Sequence, residues 1–383
     1  MNRQRFLLGT LAAATTPIAA IAQPPTFARQ YSLGMSVPLS GPLAPFGQQL
    51  VAGVQTAVYA ANRIVLPGQS TYAVRALDDQ NNAALAATNV QILAGDPSVL
   101  AVIGSLSGVA TLGMLPQCDS VGLACIVPTV TTDALTNRGY RSIFRLATPD
   151  STAGILTARR LDLNVKPVKT LIISRESGYG IDLAHAYLQQ AHIDKRAASL
   201  LTLPLGPYDA KGIVASVIAQ TPTCVYLAGT SADFGALLFG LHRAGFSGTY
   251  ILSDGFYDPQ TLQLYGAFLG DAWIATPVPP LDRIANASPD FFELRNALGA
   301  TSALAVFSYT AAQIVLAAAQ RMGALSRLAL LQALRIGGAY STLIGPFSFD
   351  SFGNPINANQ YFYKVDGDKF AYRTAAIPSP YFF

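Results

Sequence analysis

Small hydroxyl residues follow two apolar segments, at points where a strand would pass through a loop into a helix. They are Ser105 and Ser107, followed by Gly108, after residues 99–104, and Thr129, Thr131 and Thr132 after residues 123–127. Such hydroxyl side chains cap helices, and the free N–H groups at the same helix starts attract an anion. Capping alone explains any one of these residues. The set as a whole favours a site that holds a small carboxylate.

An acidic residue and several aromatic residues end other apolar segments. Asp254 follows residues 250–253, and in a cleft it would bind a cation or an ammonium group, which contributes roughly 1.5–3 kcal/mol. The alternative is a turn residue, since Asp-Gly is common in turns. The aromatic residues are Phe46, Tyr179, Phe256 and Tyr257. They could clasp an apolar part of a ligand or stack on a cation, with ordinary packing as the alternative, strongest for Phe256.

Motifs of common enzyme classes are missing from the sequence. Leu106 stands where a nucleophile elbow needs serine, and the neighbouring glycines fit neither a dinucleotide fingerprint nor a phosphate loop. Asp78-Asp79 has no other acid spaced with it as a metal ligand. The histidines, which are His185, His192 and His242, are not spaced as ligands either. We therefore expect no catalysis, no cofactor and no metal.

Length and composition fit a large folded protein. The 383 residues suffice for two domains, and a content of 51% hydrophobic against 12% charged residues supports large cores. A net charge of +4 without a lysine or arginine run gives no footprint for nucleic acid. Residues 303–319 are apolar but carry Ser308, Tyr309, Thr310 and Gln313. We expect them to form a core helix and not a membrane span.

The first 22 residues have the layout of a secretory signal peptide. Arg3 and Arg5 precede the apolar residues 6–14, and small residues at 20–22 come before Gln23. A buried first helix is the alternative, but Thr15, Thr16 and Pro17 interrupt it. The three cysteines, Cys118, Cys125 and Cys224, are expected to be buried free thiols, with the first two pointing apart.

From residue 31 onward, short apolar runs alternate with helical patterns, which is typical of doubly wound α/β domains. The expected strands are 32–37, 73–77, 100–104, 123–127, 170–174, 224–228 and 250–253, and the expected helices include 47–63, 83–94, 109–121, 181–192 and 234–243. A break at 150–170 indicates a second domain. Asp366-Gly367 predicts a β-hairpin between residues 360–365 and 369–373. Ligands of such sheets bind beyond the carboxyl ends of the strands.

Several short motifs in this order resemble the leucine/isoleucine/valine-binding proteins, the type I periplasmic binding proteins that serve ABC importers. They are Pro38-Leu-Ser-Gly-Pro42 with Phe46-Gly47 and Asn62, Asp78-Asp79, Val102-Ile-Gly104, Pro128 with Thr131 and Leu135, Arg138-Gly-Tyr140 with Arg145, Tyr179-Gly180 with Leu183-Ala184, Asp254-Gly255, and Ile344-Gly-Pro-Phe347 with Asp350 and Gly353. The motifs extend over nearly the whole mature chain. Each is weak alone, and together they form a strong signal.

The resemblance implies two Rossmann-like α/β lobes that are joined by three crossovers and hold the ligand between them. We place the crossovers near Ala147, Thr276 and Gly345. The expected division is a signal peptide at 1–22, a first lobe of 23–147 plus 277–344, and a second lobe of 148–276 plus 345–383.

The resemblance also implies which residues bind a ligand. They are Phe46, Ser107, Gly108, Val109, Thr129, Val130, Thr131, Tyr179, Thr230, Ser231, Asp254 and Phe256. One lobe would hold the carboxylate of an amino acid, and Asp254 on the other would take its ammonium group. Gly108 stands where the family commonly has serine, so that Ser107 is the candidate replacement, and Asp254 replaces the usual, longer glutamate. A disulfide of some members is absent, because Asn81 and Ser107 occupy its positions.

These observations predict an exported receptor of an ABC importer that binds a small amino acid, of the branched-chain or aliphatic type. Its partners would be this ligand and an inner-membrane ABC permease, and we expect a periplasmic monomer. The first alternative is a receptor for an aromatic or aliphatic carboxylate without an amine. The second is a ligand-sensing regulator of the same fold, which the signal-like residues 1–22 disfavour. An enzyme is a remote third.

Overall fold

The computed structural model describes residues 29–66, 68–166, 168–176, 178–270, 272–285, 289–298, 302–322 and 326–376. The predicted signal peptide lies outside these residues. The strands are β1 (Gln30–Val37), β2 (Thr71–Asp78), β3 (Val99–Gly104), β4 (Ala124–Val127), β5 (Ile143–Arg145), β6 (Lys169–Arg175), β7 (Ala197–Leu203), β8 (Cys224–Ala228), β9 (Thr249–Leu252), β10 (Trp273–Thr276), β11 (Tyr340–Thr342), β12 (Gly345–Phe347), β13 (Gln360–Asp366) and β14 (Lys369–Ala376). The helices are α1 (Ala44–Arg63), α2 (Ala83–Ala94), α3 (Gly108–Ser120), α4 (Asp150–Asn164), α5 (Ile181–Ile193), α6 (Ala210–Gln220), α7 (Ser231–Arg243), α8 (Pro259–Tyr265), α9 (Leu281–Ala285), α10 (Pro289–Leu298), α11 (Ala303–Gln320) and α12 (Arg327–Ile336).

The first lobe is built on a five-stranded sheet in the order β2-β1-β3-β4-β5. All its strand pairs are parallel. Apolar side chains on one face pack with α1 and α11, and those on the other face pack with α2 and α3. Helices cover both faces, which explains why the central strands read as continuous apolar runs.

The second lobe is built on a seven-stranded sheet in the order β14-β13-β10-β9-β8-β6-β7. Its strands β6 to β10 are parallel, and the hairpin of β13 and β14 adds an antiparallel edge. This hairpin turns at residues 366–369, as Asp366-Gly367 predicted. One face packs against α6 and α7 and the other against α4 and α5, so the doubly wound architecture is confirmed.

Three segments connect the lobes. The chain leaves the first lobe after β5, returns after β10 and leaves again before β13. Phe347 and Phe349 pack in the core of the first lobe, although the expected boundary near Gly345 assigned them to the second. The boundaries remain a prediction, and this packing favours a third crossing between Phe349 and Gln360.

The helix α11 is long and apolar enough to cross a membrane by length and composition. In the structure 72% of it is buried, and it packs against α1 and the first sheet. Its serine and threonine hydroxyl groups are satisfied within the helix, because Ser308 and Thr310 donate hydrogen bonds to the carbonyls of Ala305 and Val306. The helix is therefore a core element, as predicted.

The three cysteines are buried and free, as expected. The prediction that Cys118 and Cys125 point apart is wrong. Their side chains lie close together, and the proximity of Cys125 together with burial raises the pKa of Cys118. The cause is the tight turn after α3, in which Gly122 has a positive φ and Leu123 N–H donates to the Cys118 carbonyl at 2.9 Å. The turn folds the end of the helix back towards β4.

Gly53 allows α1 and α11 to approach closely. A Cβ atom at Gly53 would lie 2.2 Å from Ser308 Oγ and 2.3 Å from the Ala305 carbonyl oxygen. We expect Gly53→Ala to lower the free energy of unfolding by about 1–3 kcal/mol, although alanine is the better helix former. Urea denaturation measures this loss. Gly206→Ala is the matched control, since a Cβ there meets no atom within 4 Å. Equal stability of the two variants would contradict the close approach.

Candidate functional site

The loop between β3 and α3 presents the start of a helix. Ser107 caps α3, and its hydroxyl oxygen accepts a hydrogen bond from Ala110 N–H at 3.2 Å. The hydroxyl proton of Ser107 stays available for an acceptor. Gly108 and Val109 form the first turn, whose N–H groups have no partner inside a helix. This loop can therefore present several donors to an anion.

A buried network fixes this loop from behind. Ser105 is fully buried, and its hydroxyl donates to Asp79 Oδ2 at 2.7 Å. Its N–H donates to Thr111 Oγ1 at 3.1 Å. Asp79 also accepts hydrogen bonds from Ser36 and from the N–H of Asn81. Burial raises the pKa of Asp79, so this acid supports the loop and is not placed to contact a ligand.

The loop after β4 lies beside the start of α3. A Cβ atom at Gly108 would lie 3.9 Å from Val130 Cγ1 and 4.0 Å from Thr132 Cγ2. Thr129 Oγ1 is buried and has no hydrogen-bond partner among the described residues. The Thr131 carbonyl accepts hydrogen bonds from Arg145 at 2.7 Å and from Asp150 N–H at 2.9 Å. The structure thus brings the two hydroxyl-rich loops together.

The second lobe contributes a tyrosine and an acid that contact each other. The Tyr179 hydroxyl donates a hydrogen bond to Asp254 Oδ1 and accepts one from Gly255 N–H at 3.3 Å. Asp254 begins a short 3-10 helix directly after β9, and Tyr179 precedes α5. Both residues therefore stand at the carboxyl ends of parallel strands, where a ligand of this fold binds.

The loop after β8 adjoins this pair. A Cβ atom at Gly255 would lie 2.5 Å from the Gly229 carbonyl oxygen and 3.0 Å from Thr230 Cα. Thr230 forms a capping box with Asp233, in which its hydroxyl donates to Asp233 Oδ2 at 2.7 Å and accepts from Asp233 N–H at 3.1 Å. Ser231 is the first residue of α7. Thr230 is thus occupied as a cap, and the N–H groups of the first turn are the donors that remain.

Burial sets the charge state of Asp254. It raises the pKa of this carboxyl to about 6, and the hydrogen bond from Tyr179 opposes the rise only in part. At neutral pH the side chain is mostly ionised, and no cationic side chain contacts it among the described residues. A partly buried carboxylate without a counter-charge is suited to an ammonium group.

Asp150 is a second acid of the site, and the sequence analysis missed it. It is 2% exposed, and its Oδ1 has no hydrogen-bond partner in the described part of the chain. Burial, and next the negative charge of Asp254, raise the pKa of Asp150 well above its usual value, against a hydrogen bond from the Thr131 side chain. Asp150 belongs to the second lobe but bonds to the first, so it links Thr131 to the surroundings of Asp254. The signal in the sequence was an acid directly after the first crossover.

The other predicted site residues differ in how deeply they are buried. Phe46 and Val109 are exposed on the first lobe, by 40% and 63%. Phe256 is completely buried in the core of the second lobe, which agrees with the packing alternative, and we do not include it in the site below. Tyr257 packs against the cores of both lobes and stacks on Phe370 with ring centroids 4.7 Å apart.

Within residues 29–376, leaving out the few positions not described, no group of three histidine, cysteine or acidic side chains could hold a metal ion. Two doubly wound lobes, three connecting segments, and an acid and hydrogen-bond donors at the strand ends define a class. It is the type I fold of solute-binding proteins.

Comparison with known proteins agrees with this class. The sequence profile of the family described as "Periplasmic binding protein" matches residues 30–369, and the chain belongs to this family. It is 24% identical over 348 residues to the Leu/Ile/Val-binding protein homolog 3 of Brucella melitensis, covering 88% of this chain and 92% of the relative.

Solved structures show the same fold. The leucine binding protein LivK of Thermotoga maritima superposes with a TM-score of 0.80 at 18% identity, covering 91% of this chain and 99% of the other. A solute binding protein of R. palustris in complex with benzoate superposes with a TM-score of 0.75 at 18% identity, covering 91% and 97%.

Replacing Asp254 by asparagine is expected to stabilise the ligand-free protein. The folded-state pKa of about 6 is above the ordinary value, so the folded chain holds this proton more tightly than the unfolded chain. Stability is therefore lost as the pH rises through this range. At about pH 8 the free energy of unfolding of the Asp254→Asn variant should exceed that of the unmodified protein by roughly 1–3 kcal/mol. Near pH 4 this difference should vanish. Urea denaturation at both pH values tests this. An advantage independent of pH would exclude titration of Asp254 as its cause.

Proposed function

We propose that this protein is an exported receptor of an ABC importer and that it binds a small aliphatic amino acid between its lobes. The lobes close around the ligand by a hinge motion, and the closed form docks on an inner-membrane permease. We further propose that the receptor acts as a periplasmic monomer with the lobe division expected from the sequence, apart from the later third crossing.

The proposal rests on one observation. A carboxylate and a set of hydrogen-bond donors stand at the strand ends, where one would attract a positive group and the other a negative group. Asp254, held by Tyr179, offers a negative charge without a counter-charge. The first turn of α3 and the threonine loop beside it offer hydrogen-bond donors. A zwitterionic α-amino acid carries the two complementary groups at one carbon atom. Closure would bury both charges, which is tolerated only when each meets its partner.

The names of two similar proteins support the aliphatic type. The Brucella relative is named for leucine, isoleucine and valine, and the Thermotoga structure for leucine. Their identities to this chain are low, so the side-chain preference rests on family likeness, while the ammonium site rests on the residues of this chain.

A carboxylate without an amine is the second candidate, because a similar structure holds benzoate. The acids count against it here. Asp150 and Asp254 interact electrostatically with each other and with Tyr179. A ligand with a single negative charge would have to approach ionised Asp254 without an ammonium group to offset the repulsion.

Leucine binding at two pH values separates the two candidates. Because the ammonium group requires ionised Asp254, and its pKa is about 6, leucine should bind about tenfold more weakly at pH 5 than at pH 7.5. Asp254→Asn should weaken binding at pH 7.5 by about 2–5 kcal/mol and remove the pH dependence. Isothermal titration calorimetry measures both effects.

The control for this experiment is Asp366→Asn, which removes an exposed charge from the same lobe and should leave leucine binding unchanged. Benzoate supplies the opposite expectation, since protonation of Asp254 lessens repulsion and should strengthen its binding at the lower pH. Tight binding of benzoate that does not depend on residue 254, with no binding of leucine, would refute the amino-acid proposal.

Gly108 offers a gain-of-function test. A Cβ atom there meets only ordinary contacts with Val130 and Thr132, so a serine fits without displacing the loop. Its hydroxyl would add a hydrogen bond to the ligand carboxylate, and we expect Gly108→Ser to strengthen leucine binding by about 1 kcal/mol. Gly108→Ala is the matched control that adds the Cβ atom without the hydroxyl. Equal affinities of the two variants would place the ligand carboxylate elsewhere.

A further inference from the structure

A cavity of about 320 Å³ lies among the segments that connect the lobes. Leu146 and Thr148 belong to the first connection, Pro277 and Pro279 to the second, and Asn357 and Asn359 to the third. None of the residues proposed above to bind the amino acid lines it. We call it the hinge cavity. Its volume is at the lower end of the range of small-molecule sites.

The hinge cavity has walls from both lobes. Leu146, Phe307 and Phe347 belong to the core of the first lobe, whereas Tyr361 packs against the core of the second. The Thr148 hydroxyl donates a hydrogen bond to the Asn359 carbonyl at 2.7 Å, so the first and third connections are bonded at the cavity. A rotation of the lobes about these connections must change the shape of the cavity.

The lining is neutral. Three prolines and two phenylalanines form its apolar walls, and serine, threonine, asparagine and tyrosine side chains supply hydrogen-bonding groups. No acidic or basic residue is among the described residues that line it. An ionised ligand would lose its hydration here without finding a counter-charge. A neutral ligand with a flat apolar body suits these walls.

Asn359 forms part of the cavity wall. Its amide Nδ2 donates to the Tyr361 hydroxyl at 3.3 Å, while Oδ1 is buried without a hydrogen-bond partner among the described residues. A buried acceptor of this kind is costly unless a donor reaches it. Because this oxygen has almost no accessible surface, a ligand in the cavity does not contact it, and the polar contacts of a ligand fall to the other hydroxyl and amide groups of the lining.

We propose that the hinge cavity is a second binding site, which takes a small neutral molecule with a flat apolar body and an uncharged polar group, such as an aromatic primary amide. Its occupant holds the connecting segments in one arrangement and so changes the affinity of the cleft for its amino acid. The coupling rests on the proposed closure of the lobes, and binding to the cavity does not. By thermodynamic linkage the effect is reciprocal.

Benzamide is a suitable probe, and benzoate is its charged control of nearly the same shape. We expect benzamide to bind the full chain, to remain bound when leucine saturates the cleft, and to bind Asp254→Asn equally well. Benzoate should not bind the hinge cavity. The leucine Kd should change about fivefold or more when benzamide is saturating, and the benzamide Kd should change by the same factor with leucine. Calorimetric titrations in both orders measure these constants.

Two substitutions fill the cavity. Asn357 lines it from an exposed position, so Asn357→Trp can fill it without disturbing a core, and Ser348→Phe fills it from another side. Both should abolish benzamide binding, while Asn357→Ala and Ser348→Ala should keep it.

Five outcomes test the second site and its coupling to the cleft. Absence of benzamide binding, or binding that the filling variants retain, would overturn the site. Competition between benzamide and leucine would assign the probe to the cleft and also overturn it. Benzamide binding with an unchanged leucine Kd would overturn the coupling. If leucine fails to bind while benzamide still binds and is lost in the filling variants, the amino-acid proposal fails and the second site stands.

Discussion

The buried guanidinium of Arg145 is the interaction on which the candidate site depends most. It is fully buried, and it donates hydrogen bonds to the Thr131 carbonyl at 2.7 Å and to the Thr136 hydroxyl at 2.8 Å. Burial lowers its pKa to about 10, so it is charged at neutral pH. A buried charge that loses its partners is strongly destabilising. The loop that carries Thr131 is thereby fixed beside the first connection, where Asp133 also holds the start of α4 through Ser151 at 2.6 Å.

The same region carries acids that the fold itself does not need. Asp150 and Asp254 are held in protein surroundings that raise the pKa of both. The guanidinium of Arg145 attracts Asp150 electrostatically, whereas no cationic side chain contacts Asp254 among the described residues. Such an arrangement costs stability in the ligand-free protein. In the proposed function, the positive charge of the ligand offsets this cost, so that closure of the lobes would depend on a ligand of the complementary charge pattern.

The fold was largely predictable because it depends on local patterns. The alternation of apolar runs and helical segments predicted both doubly wound lobes, and Asp366-Gly367 predicted the hairpin at the edge of the second sheet. The sequence analysis missed β10, β11 and β12. It also missed β5, which has only three residues, and β7, an edge strand with several exposed residues. Neither is a continuous apolar run. Both are strands because their neighbours in the sheet offer hydrogen bonds, and this is a non-local cause.

The site was predictable in its parts and not in its assembly. By itself the sequence determined which residue types end each strand, and therefore that hydroxyl groups and Asp254 stand at the ligand-binding edge. Only the tertiary structure decided that Asp150 joins them, that Phe256 is turned into a core, and that Cys118 contacts Cys125. The physical reason is that strand ends follow from periodicity along the chain. The direction, burial and charge of a side chain depend on elements that pack against it from elsewhere in the sequence.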